Sequence, residues 1–100
     1  MTQEEARAKL SEFRILIDDV DRRIVSLLNE RTRVVEEIGR VKGSANLPIY
    51  EPKREDQVFA NVNESNHGPL TQEAVRRIFE RIIDEMRTIQ RVRMESGGNK

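Results

Sequence analysis

The chain has 100 residues, 18 Lys+Arg against 18 Asp+Glu, and only 4% aromatic side chains; that is the size of one domain, and its balanced charge sets aside a general nucleic-acid binder or a basic membrane-surface domain. With no Cys and a single His, His67, disulfides, thiolate zinc sites, a cysteine nucleophile and multi-histidine metal sites are excluded. The 36% charged fraction with sparse Pro (3) and Gly (5) is the composition of long, charge-laced helices rather than of a sheet.

The N-terminal run Met1-Thr2-Gln3-Glu4-Glu5 is acidic and polar, unlike a secretory signal. No apolar run approaches the roughly 20 residues of a membrane span, so a cytoplasmic location is expected. Residues 4–42 hold no Pro and one Gly, Gly39. Leu10, Ile17, Ile24 and Ile38 fall at heptad position a, and Phe13, Val20, Leu27, Val34 and Val41 at d, with Arg31 at the remaining a position. A 3.5-residue repeat of this length predicts one long first helix with an apolar seam. Gly43 is the expected cap and Pro48 marks the loop after it. Glu51-Pro52 starts a second helix, running to about residue 64 with Glu51, Arg54, Glu55, Val58 and Val62 on its inner stripe. The 65–69 loop follows, His67 in it reading as a solvated residue. Thr71 then caps a third helix over about 72–94, with the stripe Val75, Ile78/Phe79, Ile82/Ile83, Met86, Ile89 and Val92/Arg93. The domain spans 1–95, and 96–100 is expected to be a disordered tail.

A helix over residues 4–42 is about 58 Å long, whereas a compact 100-residue monomer has a radius of gyration of roughly 13 Å. Helices 2 and 3 of the same chain can cover only part of its seam, so the pattern predicts an all-α, three-helix protomer in an intertwined homodimer whose stability is tied to assembly.

Several charges fall where burial makes charge costly. Arg31 lies in the apolar seam; it either pairs with a Glu, snorkels out, or meets a ligand. Lys42 returns to within roughly 20° of the same face, about 16 Å further along; it either complements the helix dipole or shares an anion with Arg31. Arg14 is about 25 Å from Arg31 along the helix and by spacing alone reads as a surface residue, unless a second chain brings it to the site. Glu51, Arg54 and Glu55 either line a polar pocket or belong to an N-terminal turn where acids suit the dipole. Gln90 lies on the Phe79, Ile83, Met86 stripe; buried, it must hydrogen-bond something, while exposed it is a fraying-end residue. Taken together the charges describe a cationic cavity inside an apolar bundle. No nucleophile–base pair and no metal-ligand set accompanies it. Such a cavity suits electrostatic stabilisation of a small dianion or an anionic transition state.

The order Arg14, Asp21, Leu27-Leu28, Glu30-Arg31, Glu37-Ile38-Gly39, Lys42, then Glu51-Pro52-Lys53-Arg54-Glu55, continuing through Ile78-Phe79, Ile82-Ile83 and Gln90, closely resembles the all-helical (type II) class of chorismate mutase over about residues 7–93. The resemblance implies an isomerase that carries out the Claisen rearrangement of chorismate to prephenate in Phe and Tyr biosynthesis, with no cofactor and no metal, in two interlocked chains. It implies that Arg14, from the other subunit, and Arg31 bind the substrate carboxylates. Lys42 and Gln90 donate to the ether oxygen, Glu55 binds the ring hydroxyl with the backbone at Glu51, and Arg54 lines the pocket. Glu51 stands where Asp is frequent. Met86 stands where some members carry Ser, so only a backbone contact to substrate survives there.

Isochorismate-pyruvate lyase shares this fold and a similar pocket. A non-catalytic helical dimerisation or regulatory domain, partnered with a shikimate-pathway enzyme, is the reading from another class. Retention of the charged set disfavours it, because a purely structural seam gains from an aliphatic residue at position 31. The expected partners are chorismate, a second copy of the chain and a shikimate-pathway enzyme, with no nucleic acid and no membrane.

Overall fold

The computed structural model describes residues 1–97, with side chains through 95. It consists of three helices: α1 (Gln3–Ser44), α2 (Pro52–Ser65) and α3 (Gln72–Gly97). Among the described residues there is no strand, as the composition predicts, and no helix is long and apolar enough to cross a membrane. Ser96 and Gly97 continue α3; the remainder of the expected tail, 98–100, lies outside the described residues. The chain divides into two compact units, Met1–Arg33 and Val34–Lys100.

The first unit is the N-terminal three quarters of α1. Its start is capped by the Thr2 side chain, a signal not read from the sequence. The Glu5 backbone N–H donates to Thr2 Oγ1, and the Thr2 hydroxyl donates back to the Glu5 carboxylate, both at 3.1 Å. Together these bonds occupy a backbone donor that a helix start leaves without a partner. The seam residues Leu10, Phe13, Ile17, Val20, Ile24 and Leu27 are all exposed, Phe13 at 61% and Leu27 at 63%. These are the apolar positions from which the sequence reading drew a homodimer.

The second unit holds the last turns of α1 together with α2 and α3. Val35 and Gly39 on α1 are buried, as are Val75, Ile83, Met86 and Gln90 on α3. The α3 residues follow the helical spacing that brings one face inward, while Ile78 and Val92 of the predicted stripe are exposed. From α2, Val58, Phe59 and Val62 are half-buried, and Arg76 of α3 lies 4.2 Å over the Phe59 ring.

The helix ends follow local chemistry. Thr71 caps α3 as predicted, its Oγ1 accepting the Ala74 N–H at 3.1 Å. The end of α1 differs from expectation: the capping residue is Asn46, not Gly43. Asn46 takes the left-handed conformation, φ 59°. The Leu47 N–H donates to the Lys42 carbonyl at 2.8 Å, and the Asn46 N–H to the Gly43 carbonyl at 3.4 Å. That is the Schellman pattern with Asn in the usual Gly position. Gly43 is still helical and faces the Met94 side chain, whose Cε would lie 3.6 Å from a Cβ at that position. Pro52 occupies the first turn of α2, and Glu51 at its N-cap makes no capping hydrogen bond with its side chain; its carboxylate is used elsewhere.

The left-handed Asn46 generates a prediction. Asn46→Gly should leave the thermal midpoint unchanged or raise it, and Asn46→Val should destabilise by about 1–2 kcal/mol. Thermal unfolding followed by circular dichroism checks both.

Candidate active site

The second unit brings together residues from all three of its helical segments. Lys42, in the last turn of α1, is deeply set, its side chain 13% exposed. Its ammonium lies 2.8 Å from Glu51 Oε1 and donates to the Ile49 carbonyl at 3.0 Å. The Schellman turn folds the chain back after α1, so the residues just before α2 return to the side of Lys42. The Glu51 carboxylate therefore leaves its capping position for a cation. An ammonium has three N–H donors; Glu51 and Ile49 take two, and the third can be directed at a ligand.

Gln90 of α3 is buried, 7% exposed. Its Nε2 donates to the Val35 carbonyl of α1 at 3.2 Å. Gly39, one turn further along α1, lies against the same side chain: a Cβ there would sit 3.6 Å from Gln90 Cγ. The sequence left open whether Gln90 is buried or fraying. It is buried and bonded, as a buried amide must be. Its NH₂ has a second N–H, so Gln90 has the same form as Lys42, a donor tethered to backbone with one further N–H to place.

Glu55 of α2 is half-buried and is met by Arg87 of α3. Arg87 Nη2 donates to Glu55 Oε1 at 3.3 Å, and Arg87 Nε lies 3.2 Å from Oε2. The second approach is within ion-pair range but lacks the alignment of a hydrogen bond. The Arg87 guanidinium also lies 5.1 Å from the centre of the Tyr50 ring, and Tyr50 adjoins Glu51. Glu55 and Arg87 border a groove of about 550 Å³ between α2 and α3, with Phe59, Ile83 and Asp84. A second groove of about 390 Å³, lined by Asp56, Phe59, Val62, Val75 and Arg76 among others, contains none of the site residues predicted from sequence.

Of the other predicted residues, Met86 is buried with Ile83 and Val75 on the inward face of α3. Arg54 does not join the Lys42–Glu51 and Glu55–Arg87 pairs. It is exposed, and its Nη1 donates along its own helix to Gln57 Oε1 at 3.3 Å. Arg14 and Arg31 belong to the first unit, Arg14 exposed and Arg31 half-buried. Arg87 was not singled out by sequence reasoning. It falls one residue past the apolar stripe position Met86, where periodicity assigns an ordinary flank. The available signal was its spacing four residues after Ile83, on the flank of α3 that reaches toward α2.

Chemically the cluster offers two oriented N–H donors and two carboxylates, each paired with a cation. Among the described residues no three His, Cys, Asp or Glu side chains gather as a metal site.

Residues 13–91 match the family Chorismate mutase type II, and the chain belongs to that family. A solved chorismate mutase (form II) from Thermus thermophilus superposes with a TM-score of 0.81 at 36% identity, covering 83% of this chain and 94% of that one. The bifunctional chorismate mutase/prephenate dehydratase of Aquifex aeolicus is 37% identical over 87 residues, 83% of this chain but 24% of its own length. The chorismate mutase of Methanocaldococcus jannaschii is 27% identical over 93 residues, 92% of this chain and 94% of that protein. The chain thus spans about a quarter of the length of the bifunctional relative.

The Gln90–Val35 bond generates a prediction for stability. Gln90→Met keeps the volume and removes the donor, while the Val35 carbonyl retains the acceptor bond of its own helix. The cost should be about 0.5–1.5 kcal/mol, measured by urea unfolding, with helical content preserved.

Proposed function

We propose that the chain rearranges chorismate to prephenate, as a homodimer in the cytoplasm. The observation that carries the reading is the paired form of Lys42 and Gln90. Each donor is tethered to a backbone carbonyl, at 3.0 Å and 3.2 Å, and each keeps an N–H to place. The rearrangement is a unimolecular pericyclic step. It needs no covalent intermediate, only a chair-like diaxial conformer and stabilisation of the negative charge that develops on the ether oxygen as its C–O bond breaks. Donors held in place beforehand do this without reorganisation at the moment of reaction.

In this reading the two N–H groups converge on the ether oxygen. Arg31 and Arg14 of the partner subunit take the two carboxylates, as planar guanidinium groups do well. Glu55 accepts the hydrogen bond of the ring hydroxyl, with the Glu51 backbone beside it. Arg54 swings from Gln57 to order the carboxylates, and position 86 contributes through its backbone alone, since Met86 has no donor to offer. A second chain is required twice over: to cover the exposed seam of α1 and to supply Arg14. An enzyme of the same biosynthetic route is the expected companion. The bifunctional Aquifex relative, a chorismate mutase/prephenate dehydratase, supports this.

Purified protein should consume chorismate, followed by absorbance, with prephenate as the product and a bicyclic transition-state analogue as competitor. A folded dimer without turnover or analogue binding would falsify the proposal. Lys42→Ala should lose about 2.7–4 kcal/mol of transition-state stabilisation, the range for one oxyanion donor, seen mainly in kcat. Arg14→Ala and Arg31→Ala should each be inactive as homodimers. Exchanging the two mutant chains should restore activity to the sites that receive both arginines; a verified heterodimer without recovery would remove the shared site.

A further inference from the structure

We propose that Arg87 is a positioning residue for the active site: it holds the Glu55 carboxylate as an oriented, charge-compensated acceptor, and so governs how well a dianionic substrate is bound. The inference rests on the function proposed above and extends it to a residue that sequence reasoning did not single out. A pocket that takes a dianion gains from every cation and loses from every bare acid near it. This one contains two acids. Glu51 is compensated by Lys42 at 2.8 Å. Glu55 is compensated by Arg87, whose Nη2 and Nε lie 3.3 Å and 3.2 Å from its two oxygens.

Three features separate this pair from ordinary surface pairing. It joins two helices, α2 and α3, whereas the Arg76–Glu80 and Arg81–Glu85 pairs lie one turn apart on α3 and are exposed. It is half-buried, the side chains 30% and 22% exposed for Arg87 and Glu55, so solvent screens it less. And the guanidinium is steadied by the Tyr50 ring 5.1 Å away, within the roughly 6 Å reach of a cation–π contact. Tyr50 comes from the segment that also carries Glu51. Arg87 therefore ties the loop before α2, α2 itself and α3 to one carboxylate.

The geometry leaves Glu55 competent to bind substrate. An ionised carboxylate has about four lone-pair sites. Arg87 engages each oxygen from one side, at distances longer than the roughly 2.7–2.9 Å of a tight charge-assisted bond. One hydrogen bond, to Oε1, and one ion-pair approach, to Oε2, hold the carboxylate, and lone pairs remain for a substrate hydroxyl. Arg87 need not touch the substrate; it acts through Glu55.

The test is steady-state kinetics on the whole chain with chorismate. Arg87→Met keeps the aliphatic stem and its packing while removing the charge. It should raise KM about tenfold, the scale of a coupled charge pair, and lower kcat by a smaller factor. Arg87→Lys should recover part of the KM, because it restores charge without the fork. In a Glu55→Gln background, Arg87→Met should add no further rise in KM, because a neutral amide needs no compensation. If Arg87→Met fails to fold, Tyr50→Leu reads the same interaction and should raise KM in the same direction by a smaller factor. KM unchanged within about twofold in the Arg87→Met or Tyr50→Leu protein, in an otherwise active enzyme, would overturn the inference and leave the proposed function standing. So would independent, multiplying losses from Arg87→Met and Glu55→Gln. A parent chain that neither turns over chorismate nor binds the bicyclic analogue would remove both.

Discussion

The second unit depends on the contact between the last turns of α1 and α3, where Gln90 reaches the Val35 carbonyl and Gly39 meets the Gln90 stem. Helical register does the rest. Lys42 follows Gly39 by three residues, so it emerges about one turn further along α1. Met86 and Arg87 precede Gln90 by about one turn on α3. A Cβ at position 39 would make an ordinary contact with Gln90, so the approach is not held open by the absence of a side chain alone. It is held by the burial of Val35, Ile83 and Met86 on either side and by one hydrogen bond to backbone. An amide buried in this way has little freedom to turn, and its second N–H is aimed by the same bond that anchors the first.

Charge compensation is the second constraint. Acids beside a site for a dianion are costly unless they are paired with a cation, the more so where, as at Glu55, they are half-buried. Both acids near the proposed site are matched to a cation drawn from another segment: Glu51 to Lys42 of α1, Glu55 to Arg87 of α3. Glu51 shows how local and tertiary demands compete. It stands at the N-cap of α2 but makes no side-chain cap, because its carboxylate satisfies Lys42. The helix start is supported by Pro52, whose missing N–H removes one donor that needs a partner.

Much of this was legible in the sequence, for identifiable reasons. Helix extents follow from apolar periodicity and from breakers, and α1, α2 and α3 begin and end within a few residues of expectation. Thr71 was legible because capping is local chemistry. Gln90 and Glu55 were legible as polar groups on inward stripes. Asn46 was missed because Gly43 offered the commoner capping residue three positions earlier, and nothing in the pattern fixes which of the two takes a positive φ. Arg54 was placed on the inward stripe by its spacing from Val58 and Val62. In the first turn of α2 that stripe has barely begun, and Gln57 offers a nearer partner. Arg87 was invisible to periodicity because its role comes from the relative register of α2 and α3, a tertiary quantity that no single-helix pattern encodes.

The first unit obeys a different logic. The stretch of α1 up to Arg33, with Leu10, Phe13, Ile17, Val20, Ile24 and Leu27 exposed, has little tertiary packing of its own to sustain it. Isolated helices are stabilised only weakly by propensity, capping and i,i+4 pairs such as Asp19–Arg23. In the proposed dimer the seam that fails to pack in one chain is the surface that assembles two, and the same helix carries Arg14 across to the other site. Folding, assembly and completion of the site then share one set of residues. Weakening the seam at Phe13 or Val20 would lower activity by diluting the dimer, even though neither side chain has a role in the chemistry.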